Sequence, residues 1–339
     1  MRDVTRGSLR ERTNGYTTTP RQAALAAYLA LGALTLIVLT GAAVRLSGSG
    51  LGCPHWPECY GKLYPPLAAH AVIEFSNRVI TGPVCILAGL AWLAALRRRP
   101  YRRDLTWIAA LLPLGVIAQA VLGGLTVKGR LDYGWVMGHF ALSMLILIAA
   151  ATLVWRATHE PGERPRGVDR RLVLSARALV GMGALTIFAG TAATAAGPHG
   201  GGSPGQRITR LDFDGAGTMD FVIHRHAEIA FVFGLLALWV WWLARRRHAD
   251  PLMRRSATAL CVLLALQGIV GLDQYYTHLP TELVWVHVTL ACGCWLAALW
   301  TAYAAGQLPA PVAAAAAPSV TQTPSVTGAD AAPPARVSA

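Results

Sequence analysis

The sequence predicts an all-α integral membrane protein with eight transmembrane helices. Hydrophobic residues make up 54% of its 339 residues and charged residues only 14%, with a mean hydropathy of +0.43. Eight apolar runs reach the length of about 20 residues that a helix needs to cross a bilayer. Backbone polar groups in lipid must be bonded internally, so we expect every run to be helical. The runs are 22–45, 70–96, 104–127, 133–155, 172–196, 220–244, 256–275 and 284–305.

Basic residues alternate between the two sides of this arrangement. The segments on one side hold twenty Lys and Arg residues, and those on the other side hold five. The arginine-rich segments are 1–21, 97–103, 156–171 and 245–255. The positive-inside rule makes that side cytoplasmic, so both termini are predicted to be cytoplasmic. The net charge of +13 then reflects topology, and no nucleic-acid partner is expected.

The two ends of the chain lie outside the predicted spans. Residues 1–21 form a cytoplasmic N-terminal segment. Residues 306–339 are rich in Ala, Pro, Val, Ser and Thr, a composition typical of disordered tails.

The chain contains an internal repeat of four helices. Gln119 precedes His139 by twenty residues and Gln267 precedes His287 by twenty, and the two histidines differ by 148 positions. Small-residue motifs are common where membrane helices pack, but the joint match of Gln, Gly and His favours duplication. Four helices per half give both halves one orientation, which predicts two parallel-repeat four-helix bundles. These are the N-terminal half, 22–155, and the C-terminal half, 172–305.

Three polar residues on the second helix share one helical face. Glu74, Asn77 and Arg78 stand at positions i, i+3 and i+4. Ionisable residues inside a span are costly and mark functional sites. The alternative is a Glu74–Arg78 pair within the helix that only neutralises itself.

The sixth helix offers two candidate histidines. His224 and His226 lie about 200° apart around a helix, so only one can face the bundle centre squarely. Gly41 and Gly190 differ by 149 positions, and this offset pairs Asn77 with His226. A rival offset of 147 pairs Asn77 with His224. We favour His226 as the inward residue, and His224 remains the alternative.

The histidines suggest a haem protein. Two imidazoles on facing helices of a bundle are a common way to hold a haem iron from both sides. His226 and His287 can do this in the C-terminal half. The N-terminal half offers His139 opposite Asn77, and an amide is a poor iron ligand, so one axial position there should be weak or open.

Two cysteines, Cys53 and Cys59, lie in the first outer loop. This loop faces an oxidising compartment, which permits a disulfide. Closing so short a loop yields little stability, which favours a role in redox chemistry or in shaping a lid. A purely structural role is the alternative.

Several motifs together resemble the haem A synthase family of the CtaA type, over about residues 22–305. They are Ser47-Gly-Ser-Gly-Leu-Gly-Cys-Pro-His-Trp-Pro-Glu-Cys, Ile73-Glu-Phe-Ser-Asn-Arg, and the two Gln-to-His segments ending at His139 and His287. The resemblance implies eight helices in two four-helix halves, with haem sites toward the outer side. It also implies oxidation of a methyl group of haem O to the formyl group of haem A, which serves cytochrome oxidase.

The resemblance further implies roles for single residues. Glu74 matches the functional carboxylate of the family. The haem-ligand histidines are matched by His139, by His287 and by either His224 or His226, and the outer-loop disulfide by Cys53 and Cys59. Asn77 stands where many members have a fourth histidine, as in an actinobacterial-like variant. The second outer cysteine pair of some members is missing.

We therefore expect a haem A synthase in the cell membrane. His139 would bind the substrate haem O, and Glu74 would handle protons beside its methyl group. Haem b, held between His226 and His287, would be the cofactor that carries electrons.

The expected ligands and partners follow from this function. Arg78 and Arg225 are candidates for contacts to haem propionates, because a guanidinium fork suits a carboxylate. Haem O, haem A and membrane lipid are expected to bind. Contact with a haem O synthase and with cytochrome oxidase assembly proteins follows from the pathway alone. The alternative functions are a non-catalytic membrane haem b electron carrier and a proton-coupled transporter.

Overall fold

The computed structural model describes residues 16–165, 167 and 169–308, and within them the chain forms eight α-helices. All eight are long and apolar enough to cross a membrane. The predicted all-α, multi-pass membrane fold is therefore confirmed. The helices are α1 (Pro20–Leu46), α2 (Ala69–Arg97), α3 (Arg103–Lys128), α4 (Tyr133–Thr158), α5 (Arg170–Ala196), α6 (Ala216–Arg246), α7 (Pro251–Tyr276) and α8 (Thr281–Ala304).

The helices extend a little beyond the apolar runs. The largest difference is in α7, which begins at Pro251 rather than at 256. Proline suits the first turn of a helix, and the Asp250 side chain accepts a hydrogen bond from the Leu252 N–H at 2.7 Å. Capping residues decide where a helix begins, whereas hydropathy marks only the part that crosses lipid.

Two predicted segments fall largely outside the described part of the chain. Residues 1–15 belong to the predicted cytoplasmic segment 1–21, and residues 309–339 to the predicted tail 306–339. The cytoplasmic position of the termini stays a prediction.

Each half of the chain forms a closed ring of neighbouring helices. In the N-terminal half, α1 and α3 both pack against α2 and α4; in the C-terminal half, α5 and α7 both pack against α6 and α8. The halves meet through α1 and α4 on one side and α5 and α8 on the other. The order of neighbours is thus the same in the two halves, while the parallel repeat itself stays a prediction.

Polar atoms on α8 bind the N-terminal half. The indole N–H of Trp295 donates to the Met144 carbonyl at 3.2 Å, and that of Trp285 donates to the Leu39 carbonyl at 3.0 Å. Trp295 also belongs to a buried cluster made mostly of residues from α1 to α4. The contact between the halves is therefore a shared core.

The loops at the predicted outer ends of the two halves, which are called outer loops here, also touch. The Gly50 N–H donates to the Gly201 carbonyl at 2.8 Å, and the Ser203 hydroxyl donates to the Gly48 carbonyl at 3.0 Å. A Cβ at Gly50 would lie 3.0 Å from the Gly201 oxygen. Glycine permits this close approach of two backbones.

Replacing Gly52 with alanine is expected to destabilise the protein. A Cβ there would lie 2.2 Å from the His70 carbonyl oxygen, and no side-chain rotation can relieve a clash with backbone. Overpacking of this kind costs about 1–3 kcal/mol, so the thermal unfolding midpoint in detergent should fall. Gly82→Ala is the control, since a Cβ at Gly82 meets nothing within 4 Å. Equal midpoints for the two variants would contradict this account of the loop.

Candidate functional site

The first outer loop is closed by the predicted disulfide. Cys53 and Cys59 are bonded, with their Cα atoms 4.7 Å apart, and both are fully buried. The bridge packs against Ala71 and Phe75 at the start of α2. The disulfide therefore fixes the loop onto the outer end of the N-terminal half.

Glu74 binds this loop through its carboxylate. The side chain is buried, and its Oε2 accepts a hydrogen bond from the Cys53 N–H at 2.6 Å. Its Oε1 accepts from Arg78 Nη2 at 2.5 Å. The Glu74–Arg78 pair thus forms within the helix, and it does more than neutralise itself because both partners also bind the loop.

Arg78 holds the loop through backbone carbonyls. Its Nη2 donates to the Cys53 oxygen at 3.1 Å. Its Nη1 donates to the oxygens of His55, Pro57 and Glu58 at 3.0, 3.1 and 3.1 Å. A planar guanidinium can serve several acceptors in this way, which a single ammonium cannot.

The loop places a tryptophan beside the predicted His139 site. A Cβ at Gly124 of α3 would lie 2.9 Å from the Trp56 ring, and a Cβ at the neighbouring Gly123 would lie 3.3 Å from His139 Cε1. Trp56 and His139 therefore lie against adjacent glycines of one helix. Trp56 was not predicted from the sequence, although the Gly123-Gly124 pair is a visible signal of close packing.

His139 and His287 have matching surroundings. A Cβ at Gly271 would lie 3.1 Å from His287 Cε1, as one at Gly123 would lie close to His139. In both histidines Nδ1 is buried and has no hydrogen-bond partner among the residues that the structure describes. Each glycine stands four residues after the Gln of its motif, so the Gln-to-His spacing is explained by a glycine that makes room for an imidazole.

His226 faces His287. Their ring centroids lie 6.2 Å apart, with the ring planes at 74°. His226 Nδ1 bonds to the Thr186 carbonyl at 3.1 Å, and a Cβ at Gly190 would lie 3.0 Å from its ring. His224 has an exposed side chain whose Nδ1 lies 2.8 Å from the Asp220 carbonyl.

Asn77 occupies the corresponding position in the N-terminal half. Its Oδ1 accepts a hydrogen bond from the Thr40 hydroxyl at 2.7 Å, and a Cβ at Gly41 would lie 3.9 Å from its Nδ2. Asn77 therefore contacts Gly41 as His226 contacts Gly190. These contacts agree with the offset of 149 residues, which pairs Asn77 with His226.

Arg225 lies on the exposed face of α6. Its Nη2 donates to Glu228 Oε1 at 2.6 Å, and both side chains are more than half exposed. Its guanidinium also stands over the Phe221 ring at 5.6 Å from the centroid. The bonds of Arg225 are thus made on α6 itself.

Comparison with known proteins gives one family model, COX15-CtaA, described as a cytochrome oxidase assembly protein. It matches residues 24–73 and 68–299. A haem A synthase of Bacillus pumilus is 24% identical, over 75% of this chain and 85% of its own. A haem A synthase of Shewanella oneidensis is 26% identical, over 74% of this chain and 87% of its own.

A longer relative comes from Thermus thermophilus. This protein, named protohaem IX farnesyltransferase, is 30% identical over 82% of the present chain. The match covers 48% of the Thermus protein. The chain therefore spans about half the length of that relative.

Replacing Arg78 with lysine is expected to loosen the outer loop. One ammonium cannot bind Glu74 and four carbonyls together, so trypsin should cleave after Lys62, in the same loop, several times faster. The matched control is Arg225→Lys, which changes an arginine that bonds within α6 and should leave cleavage at Lys62 unchanged. An unchanged rate in Arg78→Lys would show that the loop does not depend on the guanidinium.

Proposed function

We propose, from the premise that this chain belongs to the COX15-CtaA family of cytochrome oxidase assembly proteins, that it is a haem A synthase. It would oxidise a methyl group of haem O to the formyl group of haem A in the cell membrane. The relatives named haem A synthase support this function, because each match covers about three quarters of the present chain. The eight spans suit a lipid-soluble substrate.

The observation that carries the proposal is the spacing of His226 and His287. Metal–imidazole bonds are about 2 Å long, so two imidazoles on opposite sides of one metal have ring centroids about 6 Å apart. The observed separation is 6.2 Å. This spacing supports His226 and His287 as the residues that would hold haem b, which would supply electron transfer when bound.

The surroundings of this pair would orient the ligands. The Thr186 carbonyl accepts from His226 Nδ1–H, which leaves Nε2 as the atom free to bind a metal. Gly190 and Gly271 give the rings of His226 and His287 room against the facing helices. This arrangement favours His226 over His224 as the ligand.

The N-terminal half would bind the substrate haem O. His139 is the candidate ligand for its iron, and Asn77 on α2 provides an amide where the other half has His226. Trp56 would cover the site from the outer side, because its ring lies against Gly124. The absence of a second imidazole at position 77 leaves one face of the substrate less tightly held.

Glu74 is the candidate for proton transfer. With water as the source of oxygen, two hydroxylations at one carbon convert a methyl group to a geminal diol and release four protons and four electrons. A membrane electron acceptor must take up the electrons, and loss of water from the diol then gives the formyl group. A carboxylate held by the Cys53 N–H and Arg78 is fixed in place beside the loop that carries Trp56. Glu74 could accept protons released in these steps.

The Thermus relative supports a partnership. Its name describes a farnesyltransferase, and about half of that protein resembles this chain. We propose that the present chain receives haem O from an enzyme of that kind and passes haem A to cytochrome oxidase assembly. A non-catalytic electron carrier would use His226 and His287 but would give Glu74 and the disulfide loop no role.

Expression in a host that makes haem O but no haem A tests the function. The wild-type chain should give haem A in extracts, whereas Glu74→Gln should retain bound haem and give little or none. Glu58→Gln, which changes an exposed carboxyl in the same loop, should behave as wild type. Absence of haem A with the wild-type chain would exclude the synthase. Full production by Glu74→Gln would remove Glu74 from proton transfer.

Replacing the two α6 histidines separately tests the ligand assignment. His226→Ala should abolish the low-spin absorption spectrum of the purified protein, because one axial ligand of the haem is lost. His224→Ala, an exposed residue on the same helix, should leave that spectrum unchanged. The opposite pattern would assign the iron to His224.

A further inference from the structure

A cleft of about 700 Å³ opens at the outer end of the C-terminal half. It lies between the end of α5, the start of α6 and the end of α7. Its lining includes the side chains of Arg210, Met219, Ile223, Tyr275, Tyr276 and His278.

One face of α6 joins the cleft to the His226–His287 pair. Met219, Ile223 and His226 stand at positions i, i+4 and i+7 of α6, so they share one helical face. Ile223 lines the cleft, and His226 follows it by about one turn. A flat ligand held between His226 and His287 would therefore reach the cleft with its outer edge.

Arg210 brings an unneutralised positive charge into this cleft. Among the described residues, no carboxylate oxygen lies within 4.0 Å of its guanidinium. Its Nη2 donates to the Pro198 carbonyl. The nearby Asp212 uses its Oδ1 to accept from the Gly215 N–H and the Thr218 hydroxyl. The Arg210 side chain is partly buried, and this burial lowers its pKa from the ordinary value.

The position of Arg210 depends on Gly200. A Cβ at Gly200 would lie 2.6 Å from both Cζ and Nη1 of Arg210. The guanidinium therefore lies directly against the backbone at Gly200, and a larger side chain there would displace it.

Arg45 places a second guanidinium near that of Arg210. Arg45, in the last turn of α1, donates to the Thr194 carbonyl at 3.4 Å, and its Nε is buried without a hydrogen-bond partner. A Cβ at Gly201 would lie 3.1 Å from Arg45 Cγ, so the two arginines lie against neighbouring glycines. No described carboxylate pairs with Arg45. Two partly buried cations without a counter-ion are costly, and an anionic ligand would relieve that cost.

We propose that Arg210, supported by Arg45, binds the propionate carboxylates of the haem held by His226 and His287. The inference rests on the proposed function, because it requires a haem in the C-terminal half. A guanidinium fork matches a carboxylate with two parallel hydrogen bonds. The two arginines considered from the sequence are engaged elsewhere: Arg78 with the disulfide loop and Arg225 with Glu228.

Haem b and its dimethyl ester distinguish this site from general haem binding. The two compounds have the same ring and iron, but the ester has no carboxylates. The full-length protein is purified without haem, and binding of each compound is followed by the Soret band. Arg210→Gln should weaken binding of haem b about 10-fold or more, the range for a lost charged hydrogen bond. Binding of the ester should not change.

Two further variants keep the test independent of folding. Gly200→Ala retains the charge but displaces the guanidinium, so it should also reduce the preference for haem b over the ester. Arg207→Gln removes an exposed charge from the same loop and should behave as wild type. The thermal unfolding midpoint of each variant identifies any loss of folded protein.

The outcomes separate the two proposals. A wild-type chain that binds neither compound would overturn the proposed function, and this inference with it. A wild-type chain that binds both equally well would overturn the carboxylate site alone. The carboxylate site would also be overturned if Arg210→Gln weakened the binding of both compounds to the same extent, or the binding of neither.

Discussion

The close approach of a polar ring to a helix backbone is the constraint on which both halves depend. An imidazole inside a membrane-spanning bundle needs space that most side chains on the facing helix would fill. Glycine provides that space at Gly123 for His139, at Gly190 for His226 and at Gly271 for His287. The inward side chains can then be held against rigid helices, which is how a bundle fixes ligands for a metal.

The halves differ most at their outer ends. In the N-terminal half a disulfide loop lies over the bundle and is held by Glu74 and Arg78. In the C-terminal half the corresponding region is an open cleft lined by Arg210. A covered site suits a reaction that must be shielded from water, whereas an open one suits a tightly ligated electron carrier whose carboxylates reach toward the aqueous side. The proposed division of labour follows from this difference in loops, on bundles with the same order of neighbours.

Much of the architecture was predictable because it depends on local composition. Length and hydropathy alone identified the eight spans, and the Gln-to-His spacing identified two of the inward histidines. The choice between His224 and His226 needed three-dimensional contacts, because both residues belong to one turn of α6. Trp56 and Arg210 lie in loops, where no periodicity indicates which way a side chain points. Arg78 was identified as functional from the sequence. Its hydrogen bonds to loop carbonyls were not, because hydropathy does not predict the conformation of residues 53–59.

The hydrogen bonds made by α8 have a consequence for how the chain can be divided. The indole groups of Trp285 and Trp295 find their acceptors, the Leu39 and Met144 carbonyls, in the other half. If the C-terminal half inserted alone, both donors would lose these acceptors. The two bundles have the same order of neighbouring helices, yet they are not separable modules. Helix α8 completes the core of the first bundle as well as that of the second, so the N-terminal half reaches its final packing only when α8 is in place.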